Sequence, residues 1–173
     1  MEIIIKRTLK IYLFIMVFMC ILVINGLISS ANPDTPTLLF DSIPTGIEIF
    51  LKNSVLFIIG ILIGMISCGI FPAIVSGTSL VLLFIKLNYL ASISWKLYVL
   101  VTAICFPHTA IEIFCMSISI SLSFWFKDIK IIKSKIYINY FKFILIGEGL
   151  LFIASIIEIY IAYPILLKLT EVF

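Results

Sequence analysis

The stretch NSVLFIIGILIGMISCGIFPAIVSGTSLVLLFI, residues 53–85, contains no Asp, Glu, Lys, Arg or His. As a single helix it would be ~50 Å long, well beyond the ~30 Å hydrocarbon core of a bilayer. A helix apolar all the way round has no face to offer water, so it belongs in a large core or in lipid. The stretch therefore predicts two membrane helices, over 54–71 and 73–93, with Gly69, Pro72 and Gly77 as the places to break. Lys86 and Asn88 fall inside the second, which is expected to be short, tilted or partly re-entrant.

The rest of the chain agrees. It is 63% hydrophobic and 12% charged, whereas charged residues make up about a quarter of a soluble globular domain. Residues 11–33 are a second run without a charged side chain. The fold class expected is all-α: a polytopic integral membrane helix bundle of about five transmembrane helices. A net charge of +3 is too small to suggest nucleic acid as a partner. Cys20, Cys68, Cys105 and Cys115 all lie in apolar segments with no CxxC spacing, and read as small buried hydrophobes.

Three regions follow from punctuation along the chain. Residues 1–29 carry the first transmembrane helix, over 11–29. Its alternative, a cleaved signal peptide ending near residue 31, is disfavoured because the apolar run exceeds the usual ~7–15 residues. Residues 30–53 are an extramembrane loop, with ANPDTPTLLFDSIPTG (31–46) rich in proline and IEIFLKN (47–53) as an interfacial turn. Residues 54–173 form a four-helix membrane core. Within it, Pro107 is expected to start helix four (107–126) after a half-helix at 97–106. The basic segment KDIKIIKSKIYINYFK (127–142) precedes helix five, over 143–167.

Lysine and arginine placement gives an orientation. With five spans, Lys6, Arg7, Lys10, Lys127, Lys130, Lys133, Lys135 and Lys142 fall on one side, against Lys52, Lys86, Lys96 and Lys168 on the other. The richer side holds the N-terminus, so the expectation is N-in and C-out. Trp95, Tyr98, Trp125, Tyr137 and Tyr140 lie near span ends, where amphipathic rings suit the headgroup region.

Three features carry chemistry or packing. Gly60 and Gly64 are spaced for close helix contact, with Cys68 one step further along the same face. His108 and Glu112 lie one turn apart, at the start of the helix expected from Pro107. Glu158 lies on a stripe with Gly147, Leu151 and Ala154, while Glu148 is expected to reach headgroups. A glutamate within a span costs on the order of 3 kcal/mol, so it turns inward and is paired or protonated. His108, Glu112 and Glu158 are thus a candidate intramembrane polar cluster. Three readings stand beside one another: hydrogen-bonding groups that fix helix register, a proton or ion relay, and a docking surface for another membrane protein.

Enzymatic readings find no purchase. The order His-x-x-x-Glu is not HExxH, no GxSxG precedes a base, and no glycine-rich phosphate loop is present. Two ligands fall short of the set zinc takes, so no catalytic residue, metal or cofactor is expected. Ser117, Ser119, Ser121 and Ser123 alternate with apolar residues and read as small groups bonding within or between helices.

FLKNSVLFIIGILIGMISCGIFPAIVSGTSL, FPHTAIEIFCMSISIS and IIEIYIAYP, in that order over residues 50–164, resemble the stage II sporulation protein M family (the DUF95 type). The resemblance carries Asn53, Gly60, Gly64, Gly77, Pro107, His108, Glu112, Glu158 and Pro164 onto family positions. Ser76 stands where the family has Asn, and Thr109 where it has Gly. Pro107, Ser76, Gly77 and Pro164 are accordingly the expected helix-break or turn positions, and Gly60 and Gly64 the packing positions. The resemblance implies a multi-pass protein of a bacterial or archaeal cell membrane without catalysis. Its partners would be the lipid bilayer and other membrane proteins: a cell-wall hydrolase complex in sporulation, or ATP-driven exporter subunits in circular-bacteriocin maturation, secretion and immunity. A homo-oligomer is compatible with it. The alternative from another class is a small transporter or channel subunit using the His and Glu groups.

Overall fold

A computed structural model describes residues 2–28, 45–128 and 135–170. All of its regular structure is helical: α1 (Glu2–Ile28), α2 (Gly46–Ser67), α3 (Ile70–Ile93), α4 (Trp95–Asp128), α5 (Lys135–Ile157), a π-helical segment (Glu158–Ala162) and α6 (Tyr163–Thr170). Among the described residues, three stretches are long and apolar enough to cross a membrane: Gly46–Ser67, Trp95–Phe124 and Tyr140–Lys168. Ile70–Ser79 is apolar but shorter. The protein is an all-α helix bundle of membrane type. Its large side chains point outward as lipid permits, with Phe14 74% and Ile66 86% exposed.

α1 begins well before the expected residue 11. Its first turns carry charge, with Glu2 and Lys6 paired at 2.6 Å one turn apart on an exposed face. The loop expected at 30–53 lies outside the described residues as far as 44. Beyond that, residues 47–53 are not a separate interfacial turn but the opening turns of α2. Thr45 explains the start: its Oγ1 accepts the Glu48 N–H at 3.3 Å, and Glu48 Oε2 accepts the Thr45 N–H at 2.7 Å. This reciprocal capping box satisfies two backbone donors and is worth ~1 kcal/mol.

The long uncharged run does break, and at one place. Cys68 (φ 53°) and Gly69 (φ 80°) are left-handed, and the Gly69 N–H returns to the Gly64 carbonyl at 2.8 Å. That bond closes α2 in the manner of a Schellman ending. A Cβ on Gly69 would lie 2.9 Å from the Phe124 ring, so this position requires glycine on two counts. The chain restarts at once: Phe71 N–H bonds Ser67 Oγ at 3.1 Å, and Pro72 sits in the first turn of α3, where its missing N–H has no partner to lose.

Four expected breaks are absent. Ser76 and Gly77 lie inside α3; the Ser76 hydroxyl donates to the Pro72 carbonyl at 2.8 Å, a bond within the helix that needs no turn. Pro107 lies inside α4, which runs on for 34 residues, so helix four neither starts there nor has a separate half-helix before it. Proline removes a single ladder bond, and opening the helix further would leave more backbone groups unsatisfied in an apolar setting. Pro164 falls in the first turn of α6. The preceding π segment, in which the Tyr163 N–H reaches Glu158 O, widens the turn and absorbs the proline without a break.

α4 is the centre of the bundle and packs against α1, α2, α3 and α5. Being surrounded, it buries all four alternating serines, Ser117, Ser119, Ser121 and Ser123, together with Cys115, Ile118 and Leu122. Phe57 and Ile61 of α2, Leu151 of α5 and Ile4 of α1 complete the same core.

Candidate functional site

The site grows out of the seam between α2 and α4. A Cβ on Gly60 would meet Ser119 Oγ at 2.9 Å and Pro72 Cβ at 3.5 Å. On Gly64 it would collide with Ser123 and lie 3.2 Å from Pro72 Cδ. Thus the glycine edge of α2 faces serines one turn apart on α4, with the α3 proline closing the other side. Ser123 Oγ donates to the Ser119 carbonyl at 2.7 Å, so its hydroxyl is satisfied within α4 and presents little bulk. α5 makes an analogous approach: a Cβ on Gly147 would collide with the Phe57 ring, and Cys115 Sγ lies 3.5 Å from the Gly147 carbonyl.

Two polar bridges cross these contacts from neighbouring residues of α2. Asn53 Nδ2 donates to Glu112 Oε1 at 2.5 Å, joining α2 to α4. Ser54 Oγ donates to Glu148 Oε2, joining α2 to α5. Glu148 is therefore half-buried and turned into the bundle, not extended toward headgroups. Close backbone approach at the glycines and these bridges depend on each other: short side chains reach across only where the helix axes are near.

His108 and Glu112 lie mid-way along α4, not in a first turn, so the helix N-terminus contributes nothing to them. Both face a cavity of about 240 Å³ that also touches Asn53, Ser76 and Ser79. His108 is buried, and among the described residues its Nδ1 has no hydrogen-bond partner. Glu158 does not line this cavity. It is half-buried at the start of the π segment, within Coulombic reach of Glu112 and Lys52. The structure thus joins two members of the expected cluster and sets the third beside them. Among the described residues, no three His, Cys, Asp or Glu side chains converge as metal ligands would.

Sequence reasoning placed Asn53 only through resemblance, sent Glu148 toward headgroups, and missed Ser54 and Ser79. The available signal was the Asn-Ser pair at 53–54, two small polar residues heading an otherwise apolar run.

A second cavity, about 270 Å³, lies between Met16, Met19 and Cys20 of α1 and Thr102, Cys105 and Phe106 of α4. Its walls are almost wholly apolar, as expected where a helix pair meets acyl chains.

No protein-family model, no curated protein and no solved structure matches the chain.

Proposed function

We propose that this chain is a non-enzymatic integral membrane accessory or scaffold protein of the stage II sporulation protein M type. It acts with envelope partners, in cell-wall remodelling during sporulation or in circular-bacteriocin maturation, secretion and immunity. In this reading it crosses the cell membrane five times, N-in and C-out. The observation that supports it most is the pair of bridges from Asn53 to Glu112 and from Ser54 to Glu148. Two carboxylates that are costly at membrane depth are engaged in pinning one helix against two neighbours. A group committed to helix register is suited to presenting a rigid surface to partners.

Affinity purification of the tagged chain from mild detergent tests the proposal. Recovery of a cell-wall hydrolase complex or of ATP-driven exporter subunits is expected. Recovery of the chain alone, with the purified protein hydrolysing or transporting a substrate unaided, would overturn it.

A second reading, a small transporter or channel subunit, draws on the polar cavity beside His108 and Glu112. Proteoliposome flux in the native chain and in Glu112→Gln and Glu158→Gln variants separates the two. Flux that survives both substitutions unchanged excludes a relay through these carboxylates.

A further inference from the structure

The cavity beside Asn53, Ser76, Ser79, His108 and Glu112 has a definite hydrogen-bonding sense. Ser76 donates its hydroxyl proton to the Pro72 carbonyl at 2.8 Å, and Ser79 donates to the Val75 carbonyl at 3.0 Å. Each serine therefore has only lone pairs left for anything else that approaches. Glu112, ionised, is acceptor-only, and its Oε1 accepts from Asn53 Nδ2. Asn53, having turned its amide nitrogen to Glu112, keeps its Oδ1 as an acceptor.

His108 is an independent indication. It is 8% exposed, and its Nδ1 has no partner among the described residues. A buried polar atom left unpaired is destabilising, and a ligand that bonds it relieves that penalty. With the imidazole proton on Nε2, Nδ1 is one more acceptor on an acceptor-rich wall. An anion would meet the Glu112 carboxylate and, within Coulombic reach, that of Glu158, with Lys52 the nearby counter-charge.

We propose that this cavity binds a primary ammonium group, R–NH3+, carried by a small alkylamine or by a lipid headgroup. An ammonium offers three N–H donors to Glu112, Asn53 Oδ1, His108 Nδ1 and the serine hydroxyls. A bare alkali or alkaline-earth ion is the poorer fit, because such hard cations favour all-oxygen sites and an imidazole nitrogen is not among their usual ligands. Leu56, Met116 and Leu151 are among the apolar residues that line the cavity and receive the alkyl part. This inference rests on the cavity alone and is independent of the accessory reading.

The test is calorimetric titration of the full chain in nanodiscs of pure phosphatidylcholine, whose headgroup has no N–H. Butylammonium is expected to bind saturably, at least tenfold more tightly than butyltrimethylammonium, which carries the same charge without donors. Glu112→Gln weakens butylammonium at least tenfold, and Ser79→Leu, which fills the cavity from its exposed side, abolishes binding. Doping the nanodiscs with phosphatidylethanolamine identifies the source: competition indicates the headgroup, and unchanged binding indicates the free amine. Non-saturable binding, or equal binding of the two cations by the native protein, overturns the proposal even where a variant fails to fold.

Discussion

Asn53 donates its side-chain amide to the Glu112 carboxylate at 2.5 Å, across helices that meet only because Gly60 and Gly64 have no side chains. This bond links the small-residue seam to the buried charge and sets the register of α2 on α4. In a double-mutant cycle of Asn53→Ala and Glu112→Gln, we expect a coupling of about 1 kcal/mol, within the range of interhelical hydrogen bonds in membranes. Reversible unfolding in bicelles measures it, and strictly additive effects would remove the bond from the account.

Gly64 of α2 and Gly77 of α3 respond oppositely to alanine. Gly64→Ala forces a methyl group into Ser123 and costs about 1–3 kcal/mol. Adding Ser123→Gly restores most of the loss. Gly77→Ala meets no atom within 4 Å and gains up to ~1 kcal/mol from reduced backbone freedom in the unfolded chain. Thermal denaturation in mild detergent compares the three variants.

The α2–α3 joint makes a paired prediction of sign. Cys68→Gly relieves a left-handed non-glycine residue and stabilises by about 1 kcal/mol. Gly69→Ala places a Cβ against Phe124 at a φ of 80° and destabilises by at least ~1 kcal/mol. If both changes moved the melting temperature the same way, the ending described for α2 would be wrong.

Because α4 continues through Pro107 without interruption, that proline is dispensable to the fold. Pro107→Ala is expected to restore a ladder bond and to stabilise, by at most the ~3 kcal/mol that proline costs inside a helix. Cysteine-accessibility patterns on either side of residue 107 stay unchanged. A shift in that pattern would mean the helix is interrupted there in the membrane.

Much of the architecture was legible in residues 53–85 alone. Composition decides for helices in an apolar solvent because nothing else satisfies the backbone of a long uncharged run. The position of the α2–α3 joint was narrowed to three residues, and glycine's access to positive φ selects Gly69 among them. Proline proved the misleading signal. Local chemistry reads Pro107 as a start, and the resemblance makes Pro164 a break or turn, yet both are held within helical backbone.

The polar site divides along the same line. One-turn spacing on a helix put His108 and Glu112 on a common face, and the cost of a buried carboxylate turned that face inward. Which helix faces them was not encoded locally. Asn53 is 59 residues from Glu112, and Ser54 is 94 from Glu148; neither partner shares a helix or a repeat with its carboxylate. The sequence by itself determined that charges must hide and where helices can approach closely. Only the tertiary structure decided what they hide against, because in lipid, association follows from side-chain fit and hydrogen-bond geometry between helices, and that fit belongs to pairs of surfaces, not to either surface alone.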